Sequence, residues 1–179
     1  MRFKCIGRFV AFAGLAAAFL MVPGRMTGQS GDKGQGGDKV LAPADVQKLL
    51  PQAVYYKGQS APAQTRNSGG VKFSDGYYVL ATLVDTSGYS SDVQAKYQAY
   101  FISELPLKVG GQNLPAGVYG VGFIGDNKFV VTDVGAHDVL SVDSSSDDAM
   151  KRPRPLQVSQ DASGGFRLYS GRRYVTFSK

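Results

Sequence analysis

Short runs of β-branched and aromatic residues, at 54–57, 71–73, 77–85, 100–103, 107–109, 118–124, 129–134, 139–142, 156–158, 166–169 and 174–177, recur along most of this 179-residue chain. Runs of that length and composition are strands. Gly-Gly, Asp-Gly and Gly-Asp-Asn stand between them at the spacing of antiparallel hairpins. The series predicts an all-β fold, an antiparallel barrel or sandwich of short strands, and leaves the choice between the two open. Helix signals occur twice. Pro43 opens ADVQKLL, with Val46, Leu49 and Leu50 on one face and Pro51 closing it. Ser91 and Gln94 have the spacing of a capping box for a short helix through DVQAKYQ.

The N-terminus has the layout of an export signal. Arg2, Lys4 and Arg8 precede an uncharged apolar run from Phe9 to Val22, which Pro23, Gly24 and Arg25 end. The run is shorter than the ~20 residues that cross a bilayer, so a cleaved signal peptide over 1–24 is expected, cut between Gly24 and Gly31. Residues 25–39, rich in glycine and alternating charge, read as a flexible tether, and 40–179 as a single β-rich domain. These features predict a periplasmic or secreted protein. Uncleaved, its tether would span roughly 20 to 24 Å and hold the domain loosely at the outer face of the inner membrane. The only cysteine, Cys5, lies in the discarded segment, so the mature chain forms no disulfide and depends on a packed core.

Charge is unevenly spread. Without residues 1–30 the chain carries 16 basic and 14 acidic side chains, and the final 29 residues hold seven basic groups against Asp161 alone. Lys151, Arg152 and Arg154, kept extended by Pro153 and Pro155, together with Arg172 and Arg173, form the candidate surface for an anionic partner. Anionic lipid, polysaccharide and acidic protein share that chemistry, and nucleic acid is excluded by export. The competing reading is a solvated edge strand whose charges prevent sheet-to-sheet association.

Other motifs are weaker. Residues 120–125 spell G-x-G-x-x-G, but they sit in a strand followed by a turn and another strand, where no helix N-terminus faces a phosphate. The glycines are expected to relieve crowding. His137, the single histidine, has Asp133 and Asp138 nearby, yet no nucleophile motif accompanies it, and a loop histidine bonded locally is expected. Asp143, Asp147 and Asp148 lack the order of a calcium loop and read as a polar loop. Tyr55, Tyr56, Tyr77, Tyr78, Tyr97 and Tyr100 are candidates to line a pocket, although packing in a β fold explains most of them. The segments SGGVKFSDGYYV and SGGFRLYSGRRYV, from Ser68 and Ser163, echo one another as two hairpins with similar turn chemistry, with Lys72 and Arg167 opposite their apolar neighbours.

Leu114-Pro115-Ala116-Gly117-Val118-Tyr119 resembles the L-P-A-G-x-Y hairpin of small, exported, uncharacterised bacterial β-domains, over about residues 107–133. The resemblance implies export and β structure and no reaction. In it Pro115 is expected to open a turn and Gly117 to take a positive φ. The functional expectation is a non-enzymatic, cofactor-free binding module of the cell envelope for a small ligand or a protein partner. The alternatives are an assembly component using an exposed sheet edge and a hydrolase-like enzyme using His137.

Overall fold

The computed structural model describes residues 37–179, and the expected signal and nearly all of the tether lie outside the described residues. The fold is a sandwich of two antiparallel sheets rather than a closed barrel. The large sheet contains β1 (Lys39–Leu41), β3 (Gln59–Lys72), β4 (Tyr78–Val84), β5 (Ala99–Ser103), β8 (Gly117–Ile124), β9 (Lys128–Thr132) and β10 (Asp138–Asp143) in that order, with β2 (Ala53–Tyr56) also paired to β3. The small sheet runs β12 (Arg154–Gln160), β13 (Phe166–Gly171), β14 (Arg173–Ser178), β6 (Leu107–Val109) and β7 (Gln112–Leu114), with β11 (Ser145–Ser146) beside β14. Among the described residues, no helix is long and apolar enough to cross a membrane.

Period-two alternation builds the main core. Val79 and Ala81, Ala99 and Phe101, Tyr119, Val121 and Phe123, and Phe129 and Val131 face inward from the large sheet. Leu107, Val109, Leu114, Phe166, Leu168, Val175 and Phe177 meet them from the small one. The intervening residues of the large sheet point the other way and are not left to solvent. Helix α1 (Pro43–Leu49) lays Val46 over Leu80, with Leu50 beside it, while the β2–β3 hairpin and α2 (Ser91–Lys96) bury a second cluster around Tyr56, Tyr89, Tyr97 and Tyr100. The large sheet is thereby covered on both faces, which is why β4 and β5 are almost continuously apolar instead of alternating with charge.

The G-x-G-x-x-G segment owes its glycines to that second layer. Gly120 and Gly122 face outward from β8. A Cβ on Gly120 would lie 2.6 Å from the Tyr56 ring and 2.8 Å from that of Tyr97, and one on Gly122 would lie 2.3 Å from the Lys96 carbonyl oxygen at the end of α2. Asp126 and Asn127, both with positive φ, then make the tight β8–β9 turn.

Several expectations change. Gly69-Gly70 is not a turn: it lies inside β3, a 14-residue strand, because a Cβ on Gly69 would sit 2.8 Å from the backbone nitrogen of Val158 in β12. The glycine marks a close approach of two backbones. Residues 114–119 do not form a hairpin. β7 pairs with β6 and β8 pairs with β5 and β9, so this segment crosses from one sheet to the other. Gly117 does not adopt a positive φ; a Cβ there would instead press on the Tyr119 ring, whose hydroxyl donates to the Pro115 carbonyl at 2.9 Å and braces the corner. The tight hairpin is the preceding one, where Gly110 and Gly111 both have positive φ between β6 and β7. The capping box is not made either: Ser90 occupies the N-cap of α2, and the Gln94 amide donates to the Tyr89 carbonyl. Lys39, the last residue read as tether, opens β1, and Asp38 accepts from the Ser74 backbone.

Both echo segments do end in hairpins, β3–β4 and β13–β14, and their lysine and arginine do point away from the core. Lys72 lies over the Tyr78 ring and Arg167 over that of Tyr174.

Replacing Gly122 by Ala is expected to cost about 1–3 kcal/mol through overpacking against α2. Urea unfolding checks this: the midpoint should fall with the slope unchanged, whereas Gly125→Ala, with open space around it, should leave the midpoint close to the parent's.

Candidate binding cleft and its cationic rim

The outer edge of β3 is only partly covered. β2 pairs along residues 59–62 and β1 along residues 70–72, leaving the stretch between without a strand beside it in the large sheet. The register of β3 on β4 also slips between Gln64 and Ser68, and the Ser68 hydroxyl holds the irregularity by donating to the Thr65 carbonyl at 2.6 Å. On the opposite side β12 has its own irregularity between Arg154 and Gln157. Where these two imperfect edges meet, beside the β1–α1 junction, a cleft of about 340 Å³ opens. Val40, Leu41, Pro43 and Val158 give it apolar walls, and Ser68, Gln157 and Arg154 supply polar groups.

The sequence-derived cationic set divides at this point. The β12–β13 register puts Arg154 opposite Gly171, and Arg172 donates from Nε to the Met150 carbonyl at 3.3 Å while its own carbonyl accepts from Asp147. Lys151, Arg152, Arg154 and Arg172 are thereby gathered at one end of the small sheet, all exposed. Among the described residues none of the four has a carboxylate within 4.0 Å. Arg173 does not belong with them. Its Nη2 turns between the sheets and donates to the Ile124 carbonyl at 2.5 Å, the Ser144 hydroxyl at 3.1 Å and the Lys128 carbonyl at 3.2 Å, with the guanidinium over the Phe123 ring. Strand parity explains the difference, since Arg173 shares the inward face of β14 with Val175 and Phe177.

The acidic partner that the small sheet does use is Asp161. It is nearly buried before the β12–β13 turn, accepts from the Ser163 hydroxyl and backbone, and pairs with Arg167 at 2.5 Å. The Ser163 hydroxyl, then its backbone N–H and Arg167, hold the carboxyl below the usual range for aspartate. Arg167 in turn donates to the Tyr169 hydroxyl, which donates to Asp147 at 3.1 Å.

The tyrosine set does not line a common pocket. Tyr56 and Tyr97 stack with ring centroids 3.7 Å apart, Tyr89 meets both edge-on, and the Tyr56 hydroxyl donates to Thr132 at 2.6 Å. Burial raises the hydroxyl pKa of Tyr56, Tyr97 and Tyr100. Tyr55 and Tyr77, by contrast, are exposed. The His137 side chain is 82% exposed, with Nδ1 3.0 Å from Asp133, whose other oxygen accepts from the backbones of Gly135 and His137. Those contacts, the His137 backbone first, hold Asp133 below the usual carboxylate range and define a loop closure. Asp143 pairs with Lys128, Asp148 accepts from Ser146 and Asp147 from Tyr169, so the three carboxylates are drawn to separate partners.

Ser68, Gly69, Gln157 and Val158 were not singled out by sequence reasoning. The one local signal at this place is the Gly69-Gly70 pair beside the β-forming run at 71–73. No family model, no curated protein and no solved structure matches the chain.

Two measurements check this division of roles. Arg173→Ala should lower stability by about 2–3 kcal/mol, because three acceptors lose a charged donor, while Arg172→Ala should stay within about 0.5 kcal/mol of the parent. For Asp161 the folded pKa is depressed, so its contribution is complete above the ordinary value of 3.8 and is lost as pH falls below it. Asp161→Asn should therefore show a shallower fall in melting temperature than the parent from about pH 4 to pH 2.

Proposed function

We propose that this protein is an exported, non-enzymatic binding module of the cell envelope and that its ligand site is the cleft between β3, β12 and the β1–α1 junction. The observation carrying this reading is the combination of apolar walls with Arg154, exposed at the rim and without a carboxylate partner among the described residues. At about 340 Å³ the cleft is at the small end of ligand sites, which run from about 300 to 1,000 Å³. The N-terminal layout supports export, and the cationic end supports an anionic counterpart. The non-enzymatic reading is supported by the setting of His137, which is spent with Asp133 on closing a surface loop away from the residues that line the cleft.

A second reading, an assembly component, is favoured by one specific feature: the outer edge of β3 is open between β2 and β1. Extended segments of partner proteins add to such edges.

The native mass of the protein purified from its host's envelope tests both. A mass a few hundred daltons above the chain is expected for a retained ligand. A whole-number multiple of the chain mass, or an added protein, would replace the ligand reading by assembly. Activity on ester or glycoside substrates that is lost in His137→Ala would overturn the non-enzymatic reading.

A further inference from the structure

Resting on the cleft being the ligand site, we infer that its ligand is a small amphiphilic anion, a carboxylate or phosphate head on a short apolar tail. Three observations define that chemistry. The first is charge. Arg154 lines the cleft, Arg152 and Lys151 precede it in the chain, and Arg172 lies beside it through the β12–β13 register. Among the described residues these four cations have no carboxylate within 4.0 Å, which is equally true of Lys39, Lys57, Arg66, Lys72, Lys108 and Arg173, so what sets them apart is that they lie together at the cleft. A guanidinium left unpaired at the mouth of a concave site is suited to two-pronged contact with a carboxylate or phosphate.

The second is the apolar lining. Val40, Leu41 and Pro43 form one wall and Val158 the other, and the floor at Gly69 carries no side chain, because β12 abuts β3 there. A purely ionic ligand would have no use for these walls, and a purely apolar one would make no use of the guanidinium at the rim. The third is size: at about 340 Å³ the cleft has the volume of a small-molecule site.

The order of the site along the chain gives the orientation. Arg154 begins β12 and Val158 lies four residues further along it, so the head group sits at the start of the strand and the tail runs along it toward Val158, across from Leu41 and Pro43. Gln157 and Ser68 lie between these ends. The Ser68 hydroxyl is already engaged with Thr65, so Gln157 is the second polar contact available to a head group. Its amide nitrogen otherwise meets only the Met150 sulfur, at 3.3 Å, a weak acceptor that a ligand oxygen displaces readily.

The test uses octanoate and octyl phosphate as probes of the purified protein, followed by amide chemical shifts. Octyltrimethylammonium supplies the same tail with the opposite charge, and acetate supplies the head alone. Octanoate is expected to shift residues 40–43, 68–69 and 157–158 saturably. Arg154→Gln should weaken it about tenfold, the loss of one charged hydrogen-bonding partner. Arg154 is exposed at a strand start, so this variant should keep the parent's unfolding midpoint. Equal binding of the cationic amphiphile, equal binding of acetate, shifts confined to other residues, or unchanged affinity in Arg154→Gln would each overturn the inference. Co-sedimentation with phosphatidylglycerol vesicles separates the sources of the same chemistry. Vesicle binding lost in Arg154→Gln, together with octanoate shifts in the cleft, places the anion on a bilayer lipid, and octanoate binding without vesicle binding places it on a free amphiphile. A retained neutral or cationic compound in the native mass, with no octanoate binding, overturns the inference and leaves the binding-module reading standing. Absence of both a retained compound and probe binding removes the reading itself.

Discussion

The close approach of backbones at positions that lack side chains is the constraint on which this architecture rests. A six-stranded and an eight-stranded sheet face one another over an apolar core, but the larger sheet is also covered on its far side by two short helices and a hairpin. Neither helix is long enough to stand off from the sheet on large side chains of its own. Instead α2 ends with its carbonyl oxygens on Gly122, and the Tyr56–Tyr97 stack lies directly on Gly120. At the other side of the sandwich Gly69 lets β12 rest on β3. Each of these contacts would be closed to a residue with a Cβ, and each fixes where a covering element sits.

The cleft follows from the same geometry. Two sheets brought into backbone contact at Gly69 but irregular on either side of it leave a space that neither edge fills. The long strand β3 is served by three different partners, β1, β2 and β4, and the gap between the first two faces the irregular start of β12. Arginine chemistry is then distributed by strand parity. Arg173 points inward and ties the sheets together at their end, Arg167 points outward and pairs with Asp161, and Arg154 and Arg172 remain at the rim. A cluster that looks uniform as a string of basic letters contains three different physical roles.

Much of the fold is legible in the sequence because its strands carry strong local signals. The runs at 100–103, 107–109, 118–124 and 174–177 lie within β5, β6, β8 and β14, and both short helices begin where proline and serine mark them. The strands without a strong local signal are polar or short: Lys39–Leu41, Gln112–Leu114, Ser145–Ser146 and the first part of β3, QSAPAQTRNSGG, which carries proline and two glycines. They are strands because of what lies beside them, and propensity has little to say there. The segment 114–119 has the turn chemistry of a hairpin, yet its flanking strands belong to different sheets, a distinction that local turn residues do not encode. The cleft was hidden for the same reason, since Val40, Ser68 and Val158 are far apart in the chain and none bears a conspicuous functional group.

An all-β antiparallel fold with two short helices, the outward placement of Lys72 and Arg167, and the concentration of positive charge after residue 150 can all be read from the chain. These depend on periodicity and composition, which act over a few residues. Long-range packing makes the sheets a sandwich, makes Gly69-Gly70 a contact and not a turn, and turns Arg173 between the sheets. The same packing sets Arg154 at the rim of a small cleft with apolar walls. Those outcomes depend on which strands become neighbours, and neighbourhood between distant segments is chosen by the packing of whole faces.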